Sequence, residues 1–99
     1  MNLRQLSIAS FNLFNLNEPS LPIYTDQDGW TQAEYDRKIA WAAMQLRLLK
    51  SDICGFQELW NGASLANILS AAGQRAEYDL LAPPSSNGTR IDCAAIVRK

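Results

Sequence analysis

Two polar side chains, each at the end of an apolar segment, are the residues of this sequence best suited to chemistry. Asn12 ends the segment QLSIASFN, and Glu58 ends the segment ICGFQE. If both segments are parallel neighbouring strands joined by a helical crossover, the two side chains face one crevice at the carboxyl ends of the strands. A carboxylate beside an amide oxygen suits a hard divalent cation, Mg²⁺ first and Mn²⁺ as an alternative.

Both residues also have purely structural interpretations, and the sequence leaves these open. Asn12 is typical of a turn residue whose side chain bonds its own backbone. Glu58 could be an ordinary exposed carboxylate at a strand end. The metal-binding interpretation requires Asn12 and Glu58 to lie at one place, whereas the structural interpretation does not.

Other residue types narrow the possible chemistry. The chain has no histidine, the commonest general base and a frequent metal ligand. Cys54 and Cys93 lie in apolar segments without CxxC spacing, so we expect small core residues and no zinc site. The DQDG turn at 26–29 is similar to part of a calcium loop, but Arg37 stands where such a loop needs glutamate. Chemistry would therefore rest on carboxylates, amides and hydroxyls.

The elements that must position Asn12 and Glu58 follow from periodicity and from start and stop signals. Thr31 and Glu34 form a TxxE capping box at the start of a helix. Gly73 stands where a helix C-cap glycine is expected, and the pair Asn87-Gly88 is a strong turn signal within the loop PPSSNGTR. The predicted elements are a strand at 5–12, a loop at 15–30, a helix from its N-cap Thr31 through Lys50, a strand at 53–58, a helix at 64–72, and a hairpin of strands at 78–82 and 91–98.

This order, β-α-β-α-β-β, predicts an α/β (α+β) fold in a single domain over residues 1–99. Hydrophobic residues make up 47% of the sequence and charged residues 19%, which is ordinary globular composition. The sequence ends directly after a strand, without a closing helix. We therefore expect a truncated domain.

Charge and hydropathy bear on partners and location. The net charge is −1, and no run of basic residues exceeds the pair Arg37 and Lys38, so charge does not support nucleic acid as a partner. Stacking of bases on exposed aromatic rings is a weaker possibility; the candidates are Trp30, Tyr35, Trp41 and Trp60. No apolar stretch approaches the ~20 residues of a membrane span, and no signal peptide precedes the first strand. A cytoplasmic location is expected, and nothing indicates an oligomeric state.

Two segments, taken in order, resemble signatures of the endonuclease/exonuclease/phosphatase family. SIASFNLFNL (7–16) resembles its opening strand, and SDICGFQELW (51–60) resembles its D-[IV]-x-G-x-QE strand; RIDCAAIVRK (90–99) is similar to the strand after its early hairpin. The resemblance implies that Glu58 binds the catalytic magnesium, that Asn12 lies beside metal and phosphate, and that Gln57 is a supporting polar residue. It also implies that the chain is the N-terminal part of a four-layer α/β sandwich.

The function implied by this resemblance is metal-dependent hydrolysis of a phosphate ester, either a diester or a monoester. The family's catalytic histidines, its Asp-x-Asn segment and its late acidic residues are not found in this sequence. We therefore expect activity in a longer protein and an inactive isolated chain. The alternative is a non-catalytic α/β binding module or a degenerate fragment of the family.

Overall fold

Six elements form the fold, which we describe from a computed structural model covering residues 5–21, 23, 29–83 and 87–99. The elements are β1 (Ile8–Leu16), α1 (Gln32–Leu49), β2 (Ile53–Asn61), α2 (Gly62–Ala71), β3 (Tyr78–Leu81) and β4 (Asn87–Arg98). This order confirms the predicted β-α-β-α-β-β arrangement and its α+β class.

The four strands form one mixed sheet in the order β1-β2-β4-β3. β1 pairs with β2 in parallel, while β4 is antiparallel to both β2 and β3. Parallel neighbours need a crossover connection, which α1 supplies, whereas β3 and β4 form the predicted hairpin. The crossover makes β1 and β2 parallel neighbours, as the prediction for Asn12 and Glu58 requires.

Local signals set the ends of α1 as expected. Thr31 Oγ1 accepts a hydrogen bond from the Glu34 amide at 3.1 Å, and Glu34 Oε1 accepts one from the Thr31 amide at 3.0 Å. Both halves of the predicted capping box are therefore formed. The helix ends at Lys50, whose backbone is left-handed (φ 46°) and whose amide donates to the Leu46 carbonyl.

α2 starts slightly earlier than predicted because Asn61 caps it. Asn61 Oδ1 accepts a hydrogen bond from the Ser64 amide at 2.8 Å. At the other end the amides of Gly73 and Gln74 donate to the carbonyls of Ser70 and Leu69, the pattern of a Schellman motif. Gly73 has φ 70°, which confirms its predicted role at the helix end.

The core lies between the two helices and one face of the sheet. Ala9, Cys54 and Ile96 are in register across three strands and point into this core, as do Phe11 and Phe56. Alternate residues form the other face, which we call the open face, and it carries exposed apolar side chains such as Ile8 and Leu81. The described residues thus form two layers, one helical and one sheet, and the four-layer sandwich stays a prediction. No helix in the described part of the chain is long and apolar enough to cross a membrane.

Three sequence predictions are corrected by the structure. β1 and β2 continue past Asn12 and Glu58, because pairing resumes after an irregularity in both strands. The Asn87-Gly88 pair is not the turn, since Asn87 is the register partner of Asn61 and the chain reversal lies before it. Cys93 is exposed, unlike the buried Cys54, because strand alternation places it outside the core.

Gly88 serves close packing instead of a tight turn. It has φ 96°, and a Cβ added there would lie 2.8 Å from Leu21 Cδ1 and 3.2 Å from Asn17 Oδ1. The fully buried Asn17 donates from Nδ2 to the Gly88 carbonyl at 3.1 Å, which ties the segment after β1 to β4. Of the predicted loop at 15–30, residues 22 and 24–28 lie outside the described residues, including most of the DQDG turn.

Candidate functional site

The register of the parallel pair sets Asn12 beside Gln57, with Glu58 next along β2. Asn12 on β1 is the direct Cα partner of Gln57 on β2, and Glu58 follows at the next position. Immediately beyond, Leu16 pairs with Leu59, so the register shifts between these two levels. The three residues therefore lie at one level of the sheet, at an interruption in both strands and not at their ends.

Left-handed backbone marks the same level on both strands. Phe14, Asn15 and Glu58 have φ values of 56°, 58° and 57°. A residue other than glycine in this region costs on the order of 1 kcal/mol or more, and such strain concentrates at functional sites. A β-bulge of this kind bends a strand and changes the direction of its side chains.

Hydrogen bonds fix the two amide side chains of this group. Asn12 Oδ1 accepts from the Phe14 amide at 2.7 Å, which makes an Asx-turn at the start of the bulge. Gln57 Oε1 accepts from the Ser10 hydroxyl at 3.2 Å. Asn12 is therefore the turn residue of the structural interpretation, and the same bond leaves its Nδ2 group as a hydrogen-bond donor.

Asn15, which sequence reasoning missed, anchors the bulge to two tryptophans. Trp30 Nε1 donates to the Asn15 carbonyl at 2.8 Å, and Trp60 Nε1 donates to Asn15 Oδ1 at 3.2 Å. Asparagine is favoured among residues in the left-handed region, and this was the only local signal for its role. Trp60 and Tyr35 are buried, so neither offers a free ring for base stacking.

Glu58 is half-buried, and a second carboxylate lies close to it in the register. Asp92 on β4 is the Cα partner of Leu59, the residue after Glu58. Its side chain is 12% exposed, with Oδ1 3.6 Å from Arg90 Nε, and its buried Oδ2 has no hydrogen-bond partner among the described residues. Sequence reasoning missed Asp92 because the register between β2 and β4 is not encoded locally.

The donor atoms near this level are all oxygens, from carboxylates and amides. Such atoms suit Mg²⁺ or Mn²⁺ and do not suit soft metals. Within residues 5–21, 23, 29–83 and 87–99, no group of three or more His, Cys, Asp or Glu side chains is arranged to hold a metal ion.

The two cysteines have no part in this group. Burial raises the pKa of the Cys54 thiol to about 11, with a hydrogen bond from Ser51 acting in the opposite direction. The thiol therefore stays protonated at neutral pH and behaves as a small core side chain, as predicted.

Comparison with known proteins gave no relative. No protein-family model matches the chain, and no curated protein or solved structure gives a significant match.

Proposed function

We propose that Glu58 and Asn12 belong to the divalent-metal site of a phosphoesterase that cleaves a phosphodiester or phosphomonoester. The observation that supports this most is the register of β1 and β2, which sets Asn12 opposite Gln57 and beside Glu58. The strained backbone at the same level adds support, since strain of this kind needs a reason to persist.

Each side chain has a distinct part in this proposal. Glu58 holds the metal through its carboxylate, and the bound ion would polarise a phosphoryl oxygen and stabilise the leaving oxygen. Asn12 Oδ1 is occupied by the Phe14 amide, so its Nδ2 group donates to a phosphate oxygen of the substrate. Gln57 accepts a hydrogen bond from the Ser10 hydroxyl and so holds β1 and β2 together beside Asn12 and Glu58.

The test is turnover in a polypeptide that carries this segment and cleaves a phosphate ester with magnesium. Glu58→Gln removes the charge and keeps the shape of the side chain, so we expect magnesium-dependent turnover to be abolished. Glu77→Gln, at an exposed carboxylate before β3, is the matched control and should leave turnover unchanged. Turnover retained in Glu58→Gln would remove Glu58 from the mechanism.

A second candidate function is a non-catalytic α/β binding module. The observation that favours it is the short bond from the Phe14 amide to Asn12 Oδ1, which gives Asn12 a sufficient structural reason to be present. A module of this kind would fold as a soluble monomer. Its wild-type form would bind magnesium no better than its Glu58→Gln form.

A further inference from the structure

Helix α1 carries a second apolar stripe, set apart from its buried face and in contact with the core only through the Trp41 ring, which meets the Phe11 ring edge-on with centroids 5.8 Å apart. Trp41, Met44 and Leu48 are 49%, 51% and 72% exposed. At 3.6 residues per turn these positions fall within a sector of about 60°, on the side of the helix opposite the buried Leu46. We call these three residues the outer stripe. Single exposed apolar residues are ordinary, but an aligned set on one helix marks an interaction surface.

The charged side chains that adjoin the outer stripe are two basic residues and one acidic residue. Arg37 and Lys38 lie beside its Trp41 end, and Glu34 lies about one turn nearer the helix start. The other basic residues of the helix are set apart, since Arg47 donates to the Ala71 carbonyl of α2. Arg37 continues the stripe by one turn toward the helix start, and Lys38 Nζ lies 4.8 Å from the Trp41 ring centroid. A second copy of α1 would bring like charges together, whereas an anionic surface would complement them.

A shallow depression adjoins the stripe at its Trp41 end. It has a volume of about 440 Å³ and is lined by Trp30, Glu34, Arg37, Lys38 and Trp41. The Glu34 carboxylate accepts a hydrogen bond from the Thr31 amide, which lowers the pKa of Glu34. Two cationic side chains and two indole rings in one depression suit a phosphate headgroup, since the cations pair with phosphate and the rings contact apolar parts. The Glu34 carboxylate opposes an anion there, but its charge is engaged by the Thr31 amide.

We propose that the outer stripe of α1 binds an anionic lipid surface, with Trp41, Met44 and Leu48 entering the boundary between headgroups and acyl chains. Arg37 and Lys38 then contact lipid phosphates. The stripe is a convex helix surface, and a bilayer accepts a convex apolar face without the complementary groove that a protein partner would need. Tryptophan is also favoured at this depth. This inference does not depend on the proposed metal site.

The test is co-sedimentation of the chain with vesicles of equal parts phosphatidylcholine and phosphatidylserine, compared with phosphatidylcholine alone. We expect binding to the anionic vesicles, weakening as salt is raised, and much less binding to the neutral ones. Met44→Ser combined with Leu48→Ser should weaken binding roughly tenfold, and Arg37→Gln roughly fivefold. All three side chains are exposed, so these variants should fold.

Arg75→Gln is the matched control for Arg37→Gln, because Arg75 is exposed after α2, away from the stripe. It should bind vesicles as the wild type does. A blue shift of tryptophan emission on adding anionic vesicles should disappear in Trp41→Phe, which locates the contact. Equal binding by the stripe variant and the wild type would overturn the proposal, as would equal binding to both vesicle types. If the wild type is a dimer that does not bind vesicles, and the stripe variant is a monomer, then a second copy of the chain occupies the stripe instead.

Discussion

Asn15 connects three segments of the chain through one residue. Its carbonyl accepts from Trp30 before α1, its side chain accepts from Trp60 in β2, and its own backbone is left-handed. Asn12 and Glu58 depend on this residue indirectly, because the bulge that Asn15 stabilises sets the level at which β1 and β2 meet. The candidate site is thus built on an asparagine that does no chemistry itself.

Asn15→Ala should destabilise the chain by about 1–3 kcal/mol. It removes the acceptor for the partly buried Trp60 indole and places a Cβ without a compensating polar group in the left-handed region. Asn15→Gly removes the same acceptor but tolerates the backbone, so its loss should be smaller. Urea unfolding of the three proteins measures the difference. Equal stability of wild type and Asn15→Ala would show that the bulge does not need this residue.

Among the elements, those with local signals were the predictable ones. The capping box at Thr31 and the glycine at Gly73 were read from sequence and are formed, because their bonding partners lie within a few residues. The Asn87-Gly88 turn failed because pairing with Asn61 and packing against Asn17 override a local preference. Likewise Asp92 could not be placed beside Glu58 without the register of distant strands.

The capping box of α1 makes a prediction about stability and pH. Thr31→Ala removes the acceptor for the Glu34 amide and should cost about 1 kcal/mol. The hydrogen bond from the Thr31 amide lowers the pKa of Glu34. The folded state therefore gains stability above the ordinary pKa of a glutamate and loses it as the pH falls through the lowered pKa.

Urea unfolding at neutral and at acid pH checks both parts. The Thr31 hydroxyl also lowers the pKa of Glu34, and Thr31→Ala removes this hydroxyl while it keeps the amide bond. Thr31→Ala should therefore differ somewhat more from the wild type at neutral pH than in acid, where Glu34 is protonated in both. Ser70→Ala, on the exposed side of α2, is a control that should change little. A difference between wild type and Thr31→Ala that does not vary with pH would contradict this account of the cap.

For the molecule as a whole, the open face of the sheet is the feature that separates the two candidate functions. Ile8 is 74% exposed there, with the half-buried Ile53 and Val97 in register beside it. Such a surface is more typical of a face that another layer covers than of a finished exterior. The phosphoesterase proposal expects another layer to cover this face. The binding-module alternative expects the chain to stay monomeric with the face exposed to solvent.

The isolated chain should therefore bind a hydrophobic dye and associate in solution. Ile8→Ser together with Leu81→Ser should lower both signals, because they remove two strongly exposed apolar side chains of this face. Dye fluorescence and sedimentation velocity measure the two effects. A wild-type chain that is monomeric and does not bind the dye would favour the binding module.

Metal binding by the isolated chain tests the central claim most directly, because it needs no substrate and no turnover. Addition of Mn²⁺ to the ¹⁵N-labelled chain should broaden the amide signals of Asn12, Gln57 and Glu58 before others. Glu58→Gln should abolish this selectivity, and the control Glu77→Gln should preserve it. Broadening that is unchanged in Glu58→Gln, or that centres on other carboxylates, would contradict a metal site at this level of the sheet.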